Sequence, residues 1–226
     1  MQRQRMPDPR LEPLQQQLRQ SLFTRPRLLD DVEPEESVRL LVALLISQTQ
    51  RDLKSLNWRL EIRRLFYTGD DPHVPGSVFY VHTPPWKRLV EYLLSDIKRC
   101  HPKQLIAILF PLLQVLDSEA HQEETELEAS VVRTLADGLP YLTAEELQTL
   151  PEPLWEFLEE ALRKRTTVHW QQRKPWMKAD FTVAALLTLA TMHPQSVTND
   201  SVVRKLADSD TDERVREAAR DYLATR

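Results

Sequence analysis

The sequence predicts an all-α protein built from helical hairpins, and three observations carry that prediction. Only 3 glycines occur in 226 residues, Gly69, Gly76 and Gly138, far below an average usage of about 7%. Leucine- and alanine-rich runs recur at helical rather than alternating spacing over most of the chain. Finally, residues 201–223 read as two short amphipathic helices joined by an acidic turn. Val202, Val203 and Leu206 form the apolar stripe of the first, and Val215, Ala218, Ala219, Tyr222 and Leu223 that of the second. A lone hairpin buries neither stripe, so this unit has to lie against further helices, as repeats in a stacked array do.

Taken in order, Pro9 to Phe23 is expected to form the first helix, with Leu11, Leu14, Leu18 and Leu22 on one stripe. The acidic cluster Asp30, Asp31, Glu33, Glu35 and Glu36 suits the positive N-terminus of the next helix. That helix carries Val38, Leu41, Val42, Leu45 and Ile46, and the pattern continues through Leu53, Leu56, Leu60, Leu65 and Phe66. It reads either as one long helix or as a pair broken near residues 49–52. From Thr68 to Pro85 the helical pattern fails: residues 70–76 are turn chemistry and residues 77–82 a short β-prone run. So long a connection is uncommon in a compact domain, and it stands either as a functional segment or as an insertion whose aromatics cover core.

Helices resume at Thr83-Pro-Pro-Trp86, where threonine is placed as an N-cap and proline at the first helical position. Leu89, Val90, Leu93, Leu94 and Ile97 follow at helical spacing. Pro102 to Leu116 is strongly apolar and contains Pro111, which is expected to kink it. Glu123 to Leu139 forms the next helix, ending near Gly138-Leu-Pro140. Thr143-Ala-Glu-Glu146 fits a capping box. Pro151 to Arg165, Ala179 to Met192 and the two terminal helices bring the expected total to about ten. The reading is of one domain over 1–226, with residues 1–30 a less integrated N-terminal helix and 68–85 a non-helical insertion.

Bulk composition narrows the function classes. Dinucleotide and P-loop sites need clustered glycines, which this chain lacks. The net charge of -4 argues against general polyanion binding, though not against a local basic patch. A single cysteine, Cys100, allows no intrachain disulfide and suits a reducing compartment. The N-terminal residues carry charge with no apolar core behind it, so they do not read as a secretory signal. The longest apolar run, Leu40 to Ile46, is too short to cross a bilayer. The expectation is a cytoplasmic protein with no membrane partner and no cofactor. Its 6 histidines show no metal-ligand spacing. Cys100-His101 is an adjacent pair whose side chains diverge on a helix, so Cys100 is expected to be a buried structural thiol.

Three helices open with acidic residues followed by Val-Arg: Val38-Arg39, Val132-Arg133 and Val215-Arg216. Glu33 precedes Arg39, and Asp210 precedes Arg216, by the same interval. An acid in the turn and an arginine in the next helix are expected to pair as a polar ladder beside the apolar core. On these residues the chain resembles the HEAT-repeat family, most clearly over 198–225. Asp210, Val215, Arg216, Ala218, Ala219 and Leu223 match its pattern of a turn aspartate and a second helix opening with Val-Arg. Residues 182–190, preceded by Asp180, are similar to another second helix. Pro111 and Asp117 are similar to a first helix and turn, paired with Val132-Arg133. The terminal unit has no proline in its first helix, and the spacing from Val132 to Val183 is longer than that from Val183 to Val215. The resemblance implies an α-solenoid, a right-handed superhelix of HEAT-like helical hairpins, interrupted by the irregular insertion near 68–85. It also implies a scaffold or adaptor that binds a protein partner through its concave face.

The strongest local electrostatic feature is residues 163–178. Arg163, Lys164, Arg165, Arg173, Lys174 and Lys178 occur there with no acid, interleaved with His169, Trp170 and Trp176. Such a segment can engage carboxylates or phosphates through its cations and anchor apolar groups or bases through its indoles. Upstream, residues 117–160 are overwhelmingly acidic, with Arg133 their one basic residue among lysines and arginines. The competing expectation is that the basic segment pairs with acidic helices of its own chain and that its tryptophans are core. The favoured partner is a protein with an acidic segment; nucleic acid is the alternative. Small HEAT-like DNA glycosylases that excise alkylated bases are similar in length and helical build. That resemblance implies Asp180 as a carboxylate stabilising cationic sugar charge, with Trp176 and Trp170 against the DNA backbone. Asp180 equally suits a helix N-cap.

Overall fold

The structure, a computed structural model, describes residues 8–20, 24–52, 85–117, 126–167, 175–192 and 200–225. Among these residues it is all-helical, with eleven α-helices, two single 3-10 turns and no strand. The helical pattern expected over 53–66, the insertion up to residue 84 and the Thr83 cap lie outside the described residues. Two compact units divide the chain, residues 1–100 and 101–226.

In the first unit, α1 is Leu11–Gln20, α2 is Arg27–Asp30, α3 is Pro34–Asp52 and α4 is Pro85–Ile97. The short α2, of 4 residues, is too short for a helical period to show in the sequence. α3 packs on α4, and α1 lies against both. Leu14 and Leu18 of the α1 stripe are buried, as are Val38, Leu41, Val42 and Leu45 of α3 and Leu89, Val90, Leu93 and Ile97 of α4. Leu40 and Leu44 are buried too, so α3 hides a wider face than one stripe. Proline at the first position and Glu35 and Glu36 in the first turn start α3, where a missing N–H and negative charge both suit the helix end. One polar cluster is enclosed: Ser37 Oγ and Arg25 Nη2 both donate to the carboxylate of Asp96, whose side chain is 0% exposed. Arg99 adds a third, longer contact at 3.3 Å.

The second unit contains α5 (Pro102–Asp117), α6 (Glu126–Gly138), a 3-10 turn (Leu139–Tyr141), α7 (Ala144–Gln148) and α8 (Glu152–Thr167). A second 3-10 turn (Pro175–Met177), α9 (Ala179–Met192), α10 (Asp200–Ser209) and α11 (Glu213–Ala224) complete it. Pro111 lies inside α5 on its exposed side, next to exposed Ala107, the residue whose carbonyl it leaves without a helical donor. α6 ends at Gly138, where a Cβ would meet the carbonyl carbon and oxygen of Pro102 at 2.8 Å. The capping box forms as the sequence predicts. Glu146 N–H donates to Thr143 Oγ1 at 3.3 Å and the Glu146 carboxylate accepts from Thr143 N–H at 2.9 Å.

α9 organises this unit. Phe181, Thr182, Ala184, Ala185, Leu186, Thr188 and Leu189 are all buried. A helix apolar on so many sides has to be surrounded, and α9 touches α6, α7, α8, α11 and both 3-10 turns. α5 pairs with α6, α8 with α9 and α10 with α11. The second members of these hairpins lie side by side in the order α6, α9, α11, while α8 lies against α10. Phe157 of α8 is the aromatic hub between layers, meeting Phe110, Phe181 and Trp176 with ring centroids 5.8, 6.1 and 5.2 Å away.

Candidate interaction surface

The basic segment begins in the last turn of α8, where cations complement the negative end of the helix dipole. The structure sorts its members by depth. Arg163 is exposed and 2.6 Å from Glu160, one turn back. Lys164 stands 3.6 Å from the same carboxylate and 5.2 Å over the Trp176 ring. Lys178 is exposed at the start of α9. Trp176, by contrast, is only 1% exposed and packs on Phe157. His169, Trp170, Arg173 and Lys174 lie outside the described residues. Lys205, which linear reading of the basic run leaves out, donates to the carbonyl of Thr166 at 2.9 Å. It brings another cation to the end of α8 from a helix 39 residues further on, a distance at which sequence offers no signal.

Arg165 is the deepest cation of the segment. Its Nε and Nη2 donate to the two carboxylate oxygens of Asp210 at 2.8 and 2.7 Å, and its Nη1 donates to the carbonyl of Met177. Asp210 also accepts from the N–H of Asp212 at 2.9 Å. Arg216 donates to the backbone carbonyl of Asp210. The expected turn-to-helix pairing is therefore redistributed: the Asp210 carboxylate takes its arginine from α8, and Arg216 satisfies the backbone of the turn. Val215 beside it is fully buried. At the N-terminal counterpart, Arg39 reaches Glu35 and Glu36, both at 3.1 Å, instead of Glu33. Residues three and four apart on one helix face each other, whereas Glu33 lies beyond the helix start.

Asp180 does not cap α9. The first helical bond, Thr182 N–H to the carbonyl of Lys178, makes Lys178 the capping residue and puts Asp180 in the first turn. Its carboxylate is exposed and accepts from Arg214 Nη1 at 2.7 Å. Arg214 also binds Asp212 and holds that carboxyl below its usual range, chiefly through this side-chain hydrogen bond. The guanidinium is in turn strengthened as a cation by Asp212 and then by Asp180. Asp180 is thus paired through one carboxylate oxygen with Arg214, and the indole of Trp176, four residues before it, is packed in the core.

Cys100 is half-buried rather than enclosed. Its thiol donates to the carbonyl of Asp96 at 3.3 Å, and burial, followed by the nearby carboxylates of Asp96 and Glu35, pushes it up from the ordinary thiol range. Among the described residues no group of three or more His, Cys, Asp or Glu is placed to hold a metal ion. No helix among them is long and apolar enough to cross a membrane. No family model, curated protein or solved structure matched the chain when it was compared with each.

Proposed function

We propose that the protein is a HEAT-like α-solenoid scaffold of the cytoplasm that works by binding rather than catalysis. On this reading the face of its second helices receives a protein partner, and the basic segment 163–178 holds an acidic segment of that partner. The observation that supports the reading best is the order of packing in the second unit. α6, α9 and α11 lie side by side with α8 against α10 beside them, the neighbour-to-neighbour arrangement that stacked hairpins adopt. The Arg165–Asp210 pair adds a tie between one hairpin and the turn of the next.

Arg163, Lys164 and Lys178 supply the exposed and half-exposed cations of the described part of the segment, and Arg173 and Lys174 belong to its sequence. Cations of this kind set encounter rate and partner choice more than raw affinity. The test is capture from native lysate by the tagged chain and by an Arg163→Glu, Arg173→Glu, Lys174→Glu, Lys178→Glu variant. Trp176 is left intact because it is core. Loss of the captured protein at unchanged helical circular dichroism is expected. An identical captured set would end the reading, and tight retention of duplex DNA with a steep salt dependence would favour the nucleic-acid alternative.

A further inference from the structure

α9 is enclosed by its neighbours on most sides, yet one strip of it is open. Asp180, Val183, Leu187, Ala190 and Thr191 fall on a single helical face, and each is exposed or half-buried. Leu187 is 41% exposed, one of two large hydrophobic side chains so open among the described residues. Beyond Asp180 in the first turn the strip carries no charge, whereas the outward face of a helix in a water-soluble unit is ordinarily polar.

The neighbouring helix gives this strip its chemical sign. Arg214 of α11 reaches Asp180, which places the starts of α9 and α11 together. Glu217 and Asp221 lie one and two turns further along the same face of α11 as Arg214, and both are exposed. The cations of α11 are already engaged: Arg214 by Asp212 and Asp180, Arg216 by Glu213 and the carbonyl of Asp210, Arg220 by Glu213. The charge left bordering the apolar strip on this side is therefore acidic. We infer that the strip on α9, bordered by Glu217 and Asp221, is a docking surface for a short amphipathic helix of a partner protein. That helix presents aliphatic side chains at i, i+4 spacing, flanked by lysine or arginine. The inference rests on the scaffold reading only in taking the second-helix face as a binding face. Its partner chemistry is opposite in sign to that of the basic segment.

The test is fluorescence anisotropy of the full chain with a labelled helix-forming peptide of leucines at i, i+4 spacing and flanking lysines. A second peptide keeps the leucines and carries glutamates, and a third keeps the lysines and carries serines. The Leu/Lys peptide is expected to bind best. Leu187→Asp and the pair Glu217→Lys/Asp221→Lys are each expected to weaken it by about tenfold, with circular dichroism unchanged. Equal binding by both variants, or by the glutamate or serine peptide, overturns the inference. So does sedimentation showing a dimer that Leu187→Asp converts to monomer, since the occupant is then a second copy. The Arg163, Arg173, Lys174 and Lys178 substitutions are expected to leave peptide binding intact, so failure here and failure of lysate capture are separate outcomes.

Discussion

Arg165 in the last turn of α8 and Asp210 in the turn between α10 and α11 form a two-pronged ion pair across 45 residues, with each side chain only 4% exposed. Enclosing two charges is costly, and their attraction offsets that cost only where geometry is good and the remaining donors and acceptors are used. Both conditions are met here. The planar guanidinium matches the carboxylate at two oxygens, the carbonyl of Met177 takes a third donor and the Asp212 N–H occupies a further acceptor site. The pair thus ties the turn of the terminal hairpin to the end of α8.

Removing one partner leaves the other charged and enclosed. Asp210→Ala is expected to destabilise the second unit by about 3–5 kcal/mol. In a double-mutant cycle with Arg165→Met, the two substitutions are expected to couple by about 2–3 kcal/mol. Urea unfolding followed by tryptophan emission gives both values. Additive effects would mean that the two side chains contribute independently.

Trp176 carries a different prediction from its place in a basic, aromatic segment. Its indole fills space beside Phe157 under the ammonium of Lys164. Trp176→Ala is therefore expected to cost about 3–5 kcal/mol of stability through the cavity it leaves. A variant with unchanged unfolding midpoint and lost partner capture would instead make the indole a surface anchor.

The helices were legible because each buries a stripe, and a stripe is written locally. Ala179–Met192 coincides with its sequence expectation, and Thr143 and Glu146 form the capping box that their spacing predicts. Long-range pairing is a different matter. The sequence places Asp210 six residues before Arg216, but which guanidinium reaches the carboxylate depends on where α8 lies, and nothing near Asp210 encodes that. The same limit applies to depth within residues 163–178. Arg163 and Arg165 are two positions apart on a helix and so point to different sides, one to solvent and one inward. A run of basic letters hides that difference.

Glu146 gives the unit a pH dependence of defined sign. Lys103 Nζ lies 2.7 Å from its carboxylate and Thr143 N–H donates to it, and these contacts, the lysine first, lower its pKa from 4.5 to about 2. A carboxyl that titrates lower in the folded chain than in the unfolded one stabilises the fold fully above the unfolded value. The contribution drains away as pH falls from about 4.5 towards 2. Carbon-13 NMR of the Glu146 carboxyl is expected to show the low midpoint, and Lys103→Met to move it upward. A midpoint near the ordinary glutamate value in the parent chain would mean that the lysine contact does not persist in solution.

Gly138 allows a close backbone approach between α6 and α5, and it does so by having no side chain. α6 ends against the first residues of α5, and a Cβ at 138 would lie 2.8 Å from the carbonyl carbon and oxygen of Pro102 and 3.0 Å from the amide nitrogen of Lys103. These are backbone atoms, so no side-chain rotation relieves the overlap and one helix end has to move. Gly138→Ala is expected to destabilise by about 1–3 kcal/mol, even though alanine is ordinarily the better helix former. The displacement would also reach Lys103, whose ammonium holds Glu146. The substitution is therefore expected to raise the Glu146 midpoint along with lowering the urea midpoint. A variant as stable as the parent would show that α5 and α6 are less closely apposed in solution than their backbone contact implies.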